Sequence, residues 1–125
     1  CGRKALAEEI GNYDYVISTL PDSESTKGFF DKELLSRMKQ TSVIVNVGRK
    51  AVFKEDALFA ALKTRSIGGA VLDMFERIPN PVTNRFRRLR NVIILPGVAA
   101  ISQEVNVRLK TYCEANILSA IEGKR

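Results

Sequence analysis

Two charged side chains stand where a parallel sheet would bring them together. Arg49 follows the apolar run at residues 43–45, and Asp73 closes a second run at residues 67–73. A guanidinium can hold a carboxylate through two parallel hydrogen bonds, and a carboxylate can accept a hydrogen bond from an amide. In open α/β sheets, ligands bind beyond the carboxyl ends of the strands. The pair therefore predicts a crevice that binds a small carboxylate.

Each of these side chains could also have a purely structural role. Arg49 could form a surface salt bridge, which contributes little to function or stability. Asp73 could cap the end of its strand by accepting backbone N–H groups. The residue types and spacing leave both possibilities open.

The elements around these residues alternate between strand and helix. Apolar and β-branched runs predict four strands, at residues 14–18, 43–47, 67–73 and 91–95. Helical spacing and capping residues predict helices at residues 4–10, 31–38 and 55–63, and a long one that starts after Ser102 and reaches about residue 122. The alternation predicts an α/β fold with a mainly parallel sheet, flanking helices and a long C-terminal helix.

Three details of these runs carry further expectations. The unbroken β-branched run at 43–45 is typical of a strand covered on both faces. Gly68 and Gly69 are poor strand residues, so they indicate close approach of another backbone. The last helix carries a set of mostly apolar residues on one side: Val105, Leu109, Tyr112, Cys113, Ile117, Ala120 and Ile121.

Composition limits the class of protein. The chain has 125 residues, 45% hydrophobic and 27% charged, which predicts one globular domain. Apolar runs are only strand-length and the first residues are polar, so we expect no membrane span and no secretory signal. Cys1 and Cys113 fit neither a disulfide framework nor a metal site, which predicts a reducing, cytoplasmic setting. The chain contains no histidine.

The net charge of +6 owes much to a basic run at residues 85–90. Such a run could contact phosphates of a nucleic acid, or it could be a solvated loop before a strand. Because no nucleic-acid motif accompanies it, we expect a solvated loop and no nucleic-acid partner.

Four motifs, in order and over essentially the whole chain, resemble the D-isomer-specific 2-hydroxyacid dehydrogenases. They are residues 46–63, which hold Asn-Val-Gly-Arg, residues 68–75, residues 91–96 and residues 116–124. The resemblance implies a Rossmann-type domain for NAD or NADP and a 2-keto or 2-hydroxy acid as substrate. It implies that Arg49 grips the substrate carboxylate and that Asp73 contacts the nicotinamide amide. The other cofactor-binding positions that it implies are Leu20, Pro21, Thr26, Val47, Gly48, Gly97 and Ala100.

The chain departs from the family pattern at the catalytic positions. The resemblance places a proton-donating histidine at position 97 and its glutamate partner at position 78, where this chain has Gly97 and Ile78. Glu76 is a weak substitute for the glutamate, because it has no imidazole to pair with. Lys50 replaces a usual glycine, and is either a solvated lysine or an extra cation in the crevice.

The family's Gly-x-Gly-x-x-Gly loop has no counterpart in these 125 residues. We therefore interpret residues 1–125 as a single, incomplete dinucleotide-binding domain that lacks the Gly-rich first βαβ unit. The expected function is that of a dehydrogenase fragment, inactive on its own. The alternative is a non-catalytic module that senses a dinucleotide or binds a protein. The first strand would then have a bare edge, which predicts self-association.

Overall fold

A four-stranded parallel sheet forms the centre of the molecule in a computed structural model that describes residues 2–73 and 85–123. Each strand pairs in parallel with the next one along the chain, so the spatial order is the sequence order. The strands are β1 (Tyr15–Ser18), β2 (Val43–Asn46), β3 (Gly69–Asp73) and β4 (Val92–Leu95). The predicted α/β class and parallel sheet are confirmed, and all four carboxyl ends meet at one edge.

Helices connect the strands as the sequence predicts. The α-helices are α1 (Arg3–Glu9), α2 (Lys32–Ser36), α3 (Glu55–Lys63) and α4 (Gln103–Ile121). Short 3₁₀ turns lie at Ile10–Asn12, Lys50–Val52 and Arg85–Arg88. The bounds of α3 are as predicted, whereas α2 and all four strands are shorter by one or two residues at an end.

Two side-chain caps fix where helices begin. The backbone N–H of Leu34 donates to the Asp31 carboxylate, and that of Val105 donates to the Ser102 hydroxyl. Both predicted caps are therefore confirmed. Asp31 also pairs with Arg3, so it ties α1 to the start of α2.

Asp31 should make stability depend on pH. The hydrogen bond from Leu34, followed by the charge of Arg3, lowers the pKa of the Asp31 carboxyl in the folded chain. A carboxyl with a lowered folded pKa stabilises the fold above its unfolded pKa, and that contribution is lost as the pH falls through the folded pKa. We expect Asp31→Ala to cost about 1 kcal/mol at neutral pH and less in acid. Urea unfolding at both pH values tests this, with Asp31→Asn as the control that keeps a cap but cannot titrate; equal losses for Asp31→Ala at both pH values would contradict it.

The hydrophobic core lies on one face of the sheet. Val16, Ile44, Ala70 and Leu72 point into it from the four-stranded sheet. Side chains from the surrounding helices and turns complete it: Ile10, Leu34, Leu35, Val52, Leu58, Leu62 and Phe86.

The opposite face is not covered in the described residues. We call it the open sheet face; its residues are Tyr15, Ile17, Val45, Val71 and Ile93, of which Ile17, Val45, Val71 and Ile93 form one row across all four strands. Ile17 is 65% exposed and Ile93 is 59% exposed. Val43 and Val45 are half-buried on this face, whereas Ile44 is fully buried on the core face. That residues 43–45 are covered on both faces stays a prediction.

Gly68 and Gly69 allow backbones to approach closely, as predicted. A Cβ at Gly68 would lie 2.6 Å from the Thr41 carbonyl oxygen, and one at Gly69 would lie 2.8 Å from the Asn91 carbonyl oxygen. The glycine pair therefore lets β3 enter the sheet between two neighbouring chain segments.

The basic run is more ordered than expected. Its start forms the 3₁₀ turn Arg85–Arg88, and Phe86 is fully buried. The Arg85 guanidinium pairs with Glu55 and Asp56 and stacks over the Phe59 ring at 4.5 Å. The prediction of a solvated loop is wrong at this point, because an aromatic anchor and two carboxylates hold the run on α3.

None of the helices in the described residues is long and apolar enough to cross a membrane.

Candidate functional site

The ends of β1 and β2 are joined at the carboxyl edge of the sheet. The backbone N–H groups of Val47 and Gly48 both donate to the Ser18 carbonyl oxygen, at 3.0 and 3.1 Å. This brings the turn that carries Arg49 against the segment that leaves β1. The predicted rim of the crevice is thus assembled by backbone hydrogen bonds.

Asn46 shapes the turn that presents Arg49. Its side chain is fully buried, and its Oδ1 accepts the Gly48 N–H at 3.1 Å while its Nδ2 donates to the Arg49 carbonyl oxygen at 3.3 Å. Arg49 itself is exposed. We infer that Asn46 is a positioning residue for Arg49; an asparagine two residues before a glycine is the sequence signal that could have identified it.

Gly48 allows the turn to approach the segment after β1. A Cβ at this position would lie 2.6 Å from the Leu20 carbonyl oxygen and 3.1 Å from the Leu20 nitrogen. Both contacts are with backbone, which cannot move aside as a flexible side chain can. Glycine is therefore required here for packing, in addition to any role toward a cofactor.

Asp73 is buried and organises the loop that follows β4. Its Oδ1 accepts the N–H groups of Gly97 and Val98 at 2.7 and 2.9 Å, and its Oδ2 accepts that of Ala99 at 2.9 Å. The residue is only 3% exposed. The strand-end cap considered from the sequence is thus present, although its partners lie on a neighbouring strand's loop rather than on its own.

Gly97 has a backbone conformation that side chains rarely adopt. Its φ is +80°, in the left-handed region that favours glycine. This is the position where the family resemblance implies the proton-donating histidine. Position 97 therefore has no acidic side chain, and its backbone conformation disfavours a residue that carries a side chain.

A hydroxyl closes the loop after β1. Thr26 donates through its Oγ1 to the Pro21 carbonyl oxygen at 2.6 Å, which folds the loop over the end of the strand. Leu20 is half-buried beside it and Pro21 is exposed. The cofactor-binding roles predicted for these three residues, and for Val47 and Ala100, stay predictions.

The sequence also suggested roles for Lys50, Glu76 and Ile78. Lys50 pairs with Glu55 at 2.7 Å, which supports the solvated-lysine interpretation over a proton donor. Glu76 and Ile78 lie outside the described residues. Among the residues that the structure describes, no cluster of histidine, cysteine or carboxylate side chains has the makings of a metal site.

Comparison with known proteins identifies the family. A family model for the NAD-binding domain of D-isomer specific 2-hydroxyacid dehydrogenases matches residues 1–99. The chain belongs to this family. It is 35% identical over 115 residues to glyoxylate/hydroxypyruvate reductase B of Erwinia tasmaniensis, an alignment that covers 92% of this chain and 36% of that enzyme.

Solved structures agree with this assignment. An acyclic imino acid reductase in complex with NADPH and D-Arg gives a TM-score of 0.82 at 30% identity, over 95% of this chain and 38% of that one. A D-isomer specific 2-hydroxyacid dehydrogenase from Xanthobacter autotrophicus Py2 gives 0.79 at 30% identity, over 98% and 40%. The chain thus spans 36–40% of the length of these relatives.

The family uses NAD or NADP, and the described residues fit only part of such a site. The segments at Leu20–Pro21, Val47–Gly48 and Gly97 follow β1, β2 and β4 at the carboxyl edge of the sheet, the edge at which open α/β sheets bind ligands. The Asp73 carboxylate, however, is held by its own loop and offers little accessible surface to a nicotinamide amide. The 125 residues also contain no Gly-x-Gly-x-x-Gly sequence to hold the pyrophosphate.

Proposed function

We propose that this chain supplies the nicotinamide side and the substrate-carboxylate side of a D-2-hydroxyacid dehydrogenase-like NAD(P) oxidoreductase. We further propose that by itself it neither binds a dinucleotide tightly nor reduces a 2-keto acid. Reduction adds a hydride to the keto carbon and a proton to the keto oxygen, so it needs both a bound cofactor and an acid at that oxygen.

The observation that carries this proposal is the state of position 97. The loop is held in place by Asp73, yet the residue that it presents is a glycine with φ +80°. Arg49 stands on the same rim, on a turn held by Asn46, so the means of holding a substrate carboxylate are retained. The site therefore keeps an anion-binding group and lacks the proton donor.

An absorbance assay of cofactor oxidation tests the proposal. Purified chain is mixed with NADH or NADPH and with glyoxylate, hydroxypyruvate or pyruvate, and the reductase from Erwinia tasmaniensis serves as the active control. We expect no rate above the protein-free blank. A rate that is proportional to the concentration of this chain, and that Arg49→Leu abolishes, would overturn it.

A second candidate is a non-catalytic module that senses a dinucleotide. The ordered loop at Gly97–Ala99 favours it, because a crevice without an acid is nevertheless held by three hydrogen bonds. A titration that follows NADPH fluorescence distinguishes the candidates. Saturable binding without turnover would favour the sensing module, and no binding would favour the first proposal.

We also propose that the chain self-associates. β1 lies at the edge of the described sheet, as predicted, and an edge strand can pair with another chain. Sedimentation velocity that shows only monomer at high concentration would contradict this. The cytoplasmic location stays a prediction from cysteine usage.

A further inference from the structure

The turn that carries Arg49 contacts α3 through its next residue. The Lys50 ammonium lies 2.7 Å from the Glu55 Oε2, in the first turn of α3. Arg49 is the N-cap of the 3₁₀ turn Lys50–Val52, and Val52 at the far end of that turn is fully buried. The usual residue of the family at position 50 is glycine, which could not make this contact. The contact therefore belongs to this chain rather than to the family pattern.

The same carboxylate pairs with a second cation. The Glu55 Oε1 lies 3.4 Å from the Nη2 of Arg85, at the start of the 3₁₀ turn Arg85–Arg88. Charges of alternating sign thus run from Lys50 through Glu55 to Arg85, and we call these three side chains the charge row. The charge row joins the turn after β2 to the segment that leads into β4.

Arg85 is a fixed end of the charge row, because aromatic rings hold its guanidinium. The guanidinium carbon lies 4.5 Å from the centroid of the Phe59 ring and 5.7 Å from that of Phe86. The two rings meet edge to face at 5.5 Å, and Phe86 is fully buried. The Arg85 Nε is also buried and makes no hydrogen bond within the described part of the chain, so stacking on the rings orients the side chain.

This anchoring distinguishes the charge row from an ordinary surface ion pair. Isolated surface pairs contribute little, because two flexible side chains must lose conformational entropy to form them. Here the rings already order Arg85, and the shared carboxylate pairs with two cations. All of these contacts lie within the chain, so they do not depend on what else covers its surface. The charge row can therefore restrict Lys50 and the adjacent Arg49.

We propose that Glu55 and Arg85 are positioning residues for Arg49 and act on it through Lys50. This inference rests on the proposed function, in which Arg49 holds the substrate carboxylate. The turn is then held from two sides. The Asn46 side chain binds the Arg49 carbonyl oxygen, and the charge row ties Lys50 to α3.

The sign of the effect separates positioning from simple electrostatics. Glu55→Gln removes a negative charge beside the Arg49 turn, so electrostatics alone should strengthen the binding of an anion. If Glu55 positions Arg49, the same substitution should instead weaken binding, by about threefold or more. Titration with oxalate, a small dicarboxylate, followed by the amide chemical shifts of residues 46–52, measures the affinity. Arg49→Leu is the reference, which should weaken oxalate binding by about tenfold or more.

Asp56→Asn is the matched control on α3. Asp56 pairs with Arg85 at 2.6 Å, and its replacement removes the same charge one residue along the helix while Glu55 keeps both of its cations. We expect oxalate binding that is unchanged or slightly stronger. Oxalate binding that Glu55→Gln leaves unchanged or strengthens would overturn the positioning role, and so would equal weakening by the two substitutions.

A second measurement needs no ligand. Arg85→Gln should shift the amide resonances of Arg49 and Lys50, because it releases Glu55 on one side. Arg88→Gln removes the same charge from the same 3₁₀ turn and should leave those resonances in place. Equal shifts in the two variants would contradict the coupling. Oxalate binding that Arg49→Leu leaves unchanged would refute the proposed function instead, whereas the amide shifts would still show whether the charge row holds the turn.

Discussion

Replacing Asp73 by alanine should lower the free energy of unfolding by about 3 kcal/mol or more, because it removes the acceptor of three backbone N–H groups. Hydrogen bonds to a charged group contribute about 1.5–3 kcal/mol each, and part of this is recovered because Val98 and Ala99 are exposed to water. Urea unfolding at neutral pH measures the change. Asp73→Asn should lower the free energy of unfolding by less, because asparagine keeps one carbonyl oxygen as an acceptor. Its NH₂ group, however, would face a backbone N–H donor.

The control is Asp22→Ala. Asp22 is an exposed carboxylate in the loop after β1, so its removal should change stability by less than about 0.5 kcal/mol. If Asp73→Ala and Asp22→Ala have the same stability, the Asp73 carboxylate does not hold the loop after β4.

Replacing Gly48 by alanine should cost about 1–3 kcal/mol through overpacking. The added methyl group would lie 2.6 Å from the Leu20 carbonyl oxygen, so either the 46–49 turn or the segment after β1 must move. Movement of that turn would displace Arg49, whose carbonyl oxygen is bonded to Asn46. Thermal or urea unfolding gives the stability change, and the amide chemical shifts of residues 46–49 show the displacement.

Gly2→Ala provides the same chemical change in open space. No atom lies within 4 Å of a Cβ built at Gly2, so overpacking is not expected there. Because Gly2 is the N-cap of α1, we expect only the capping difference between glycine and alanine, about 0.5–1 kcal/mol. Equal effects of the two substitutions would mean that the approach of the two segments at Gly48 is not close in solution.

The sequence predicted what depends on local chemistry. Asp31 and Ser102 were identified as caps because such residues before an apolar helix accept the first free N–H groups. Gly68 and Gly69 were identified because adjacent glycines inside a strand are typical of a close backbone approach. The order of strands and helices followed from alternating periodicity, and the family followed from motifs in register.

The rest depends on contacts between distant segments. The N–H groups that bind Asp73 belong to Gly97, Val98 and Ala99, which carry no polar side chain to mark them. An apolar run such as residues 43–45 has the same pattern whether its second face is covered or open, so the open sheet face was not foreseen. Phe86 anchors the basic run by packing in the core, which charge counting cannot detect.

If the crevice is rigidly built and position 97 lacks the acid, the loop at Gly97–Ala99 must be as well ordered as the sheet. Hydrogen exchange of these three amides, followed by NMR, tests this most directly. We predict that they exchange as slowly as amides of β3 and β4, and that Asp73→Asn accelerates them selectively. Exchange as fast as in an unstructured peptide would contradict a rigid crevice, because Asp73 would then not hold the loop that carries position 97.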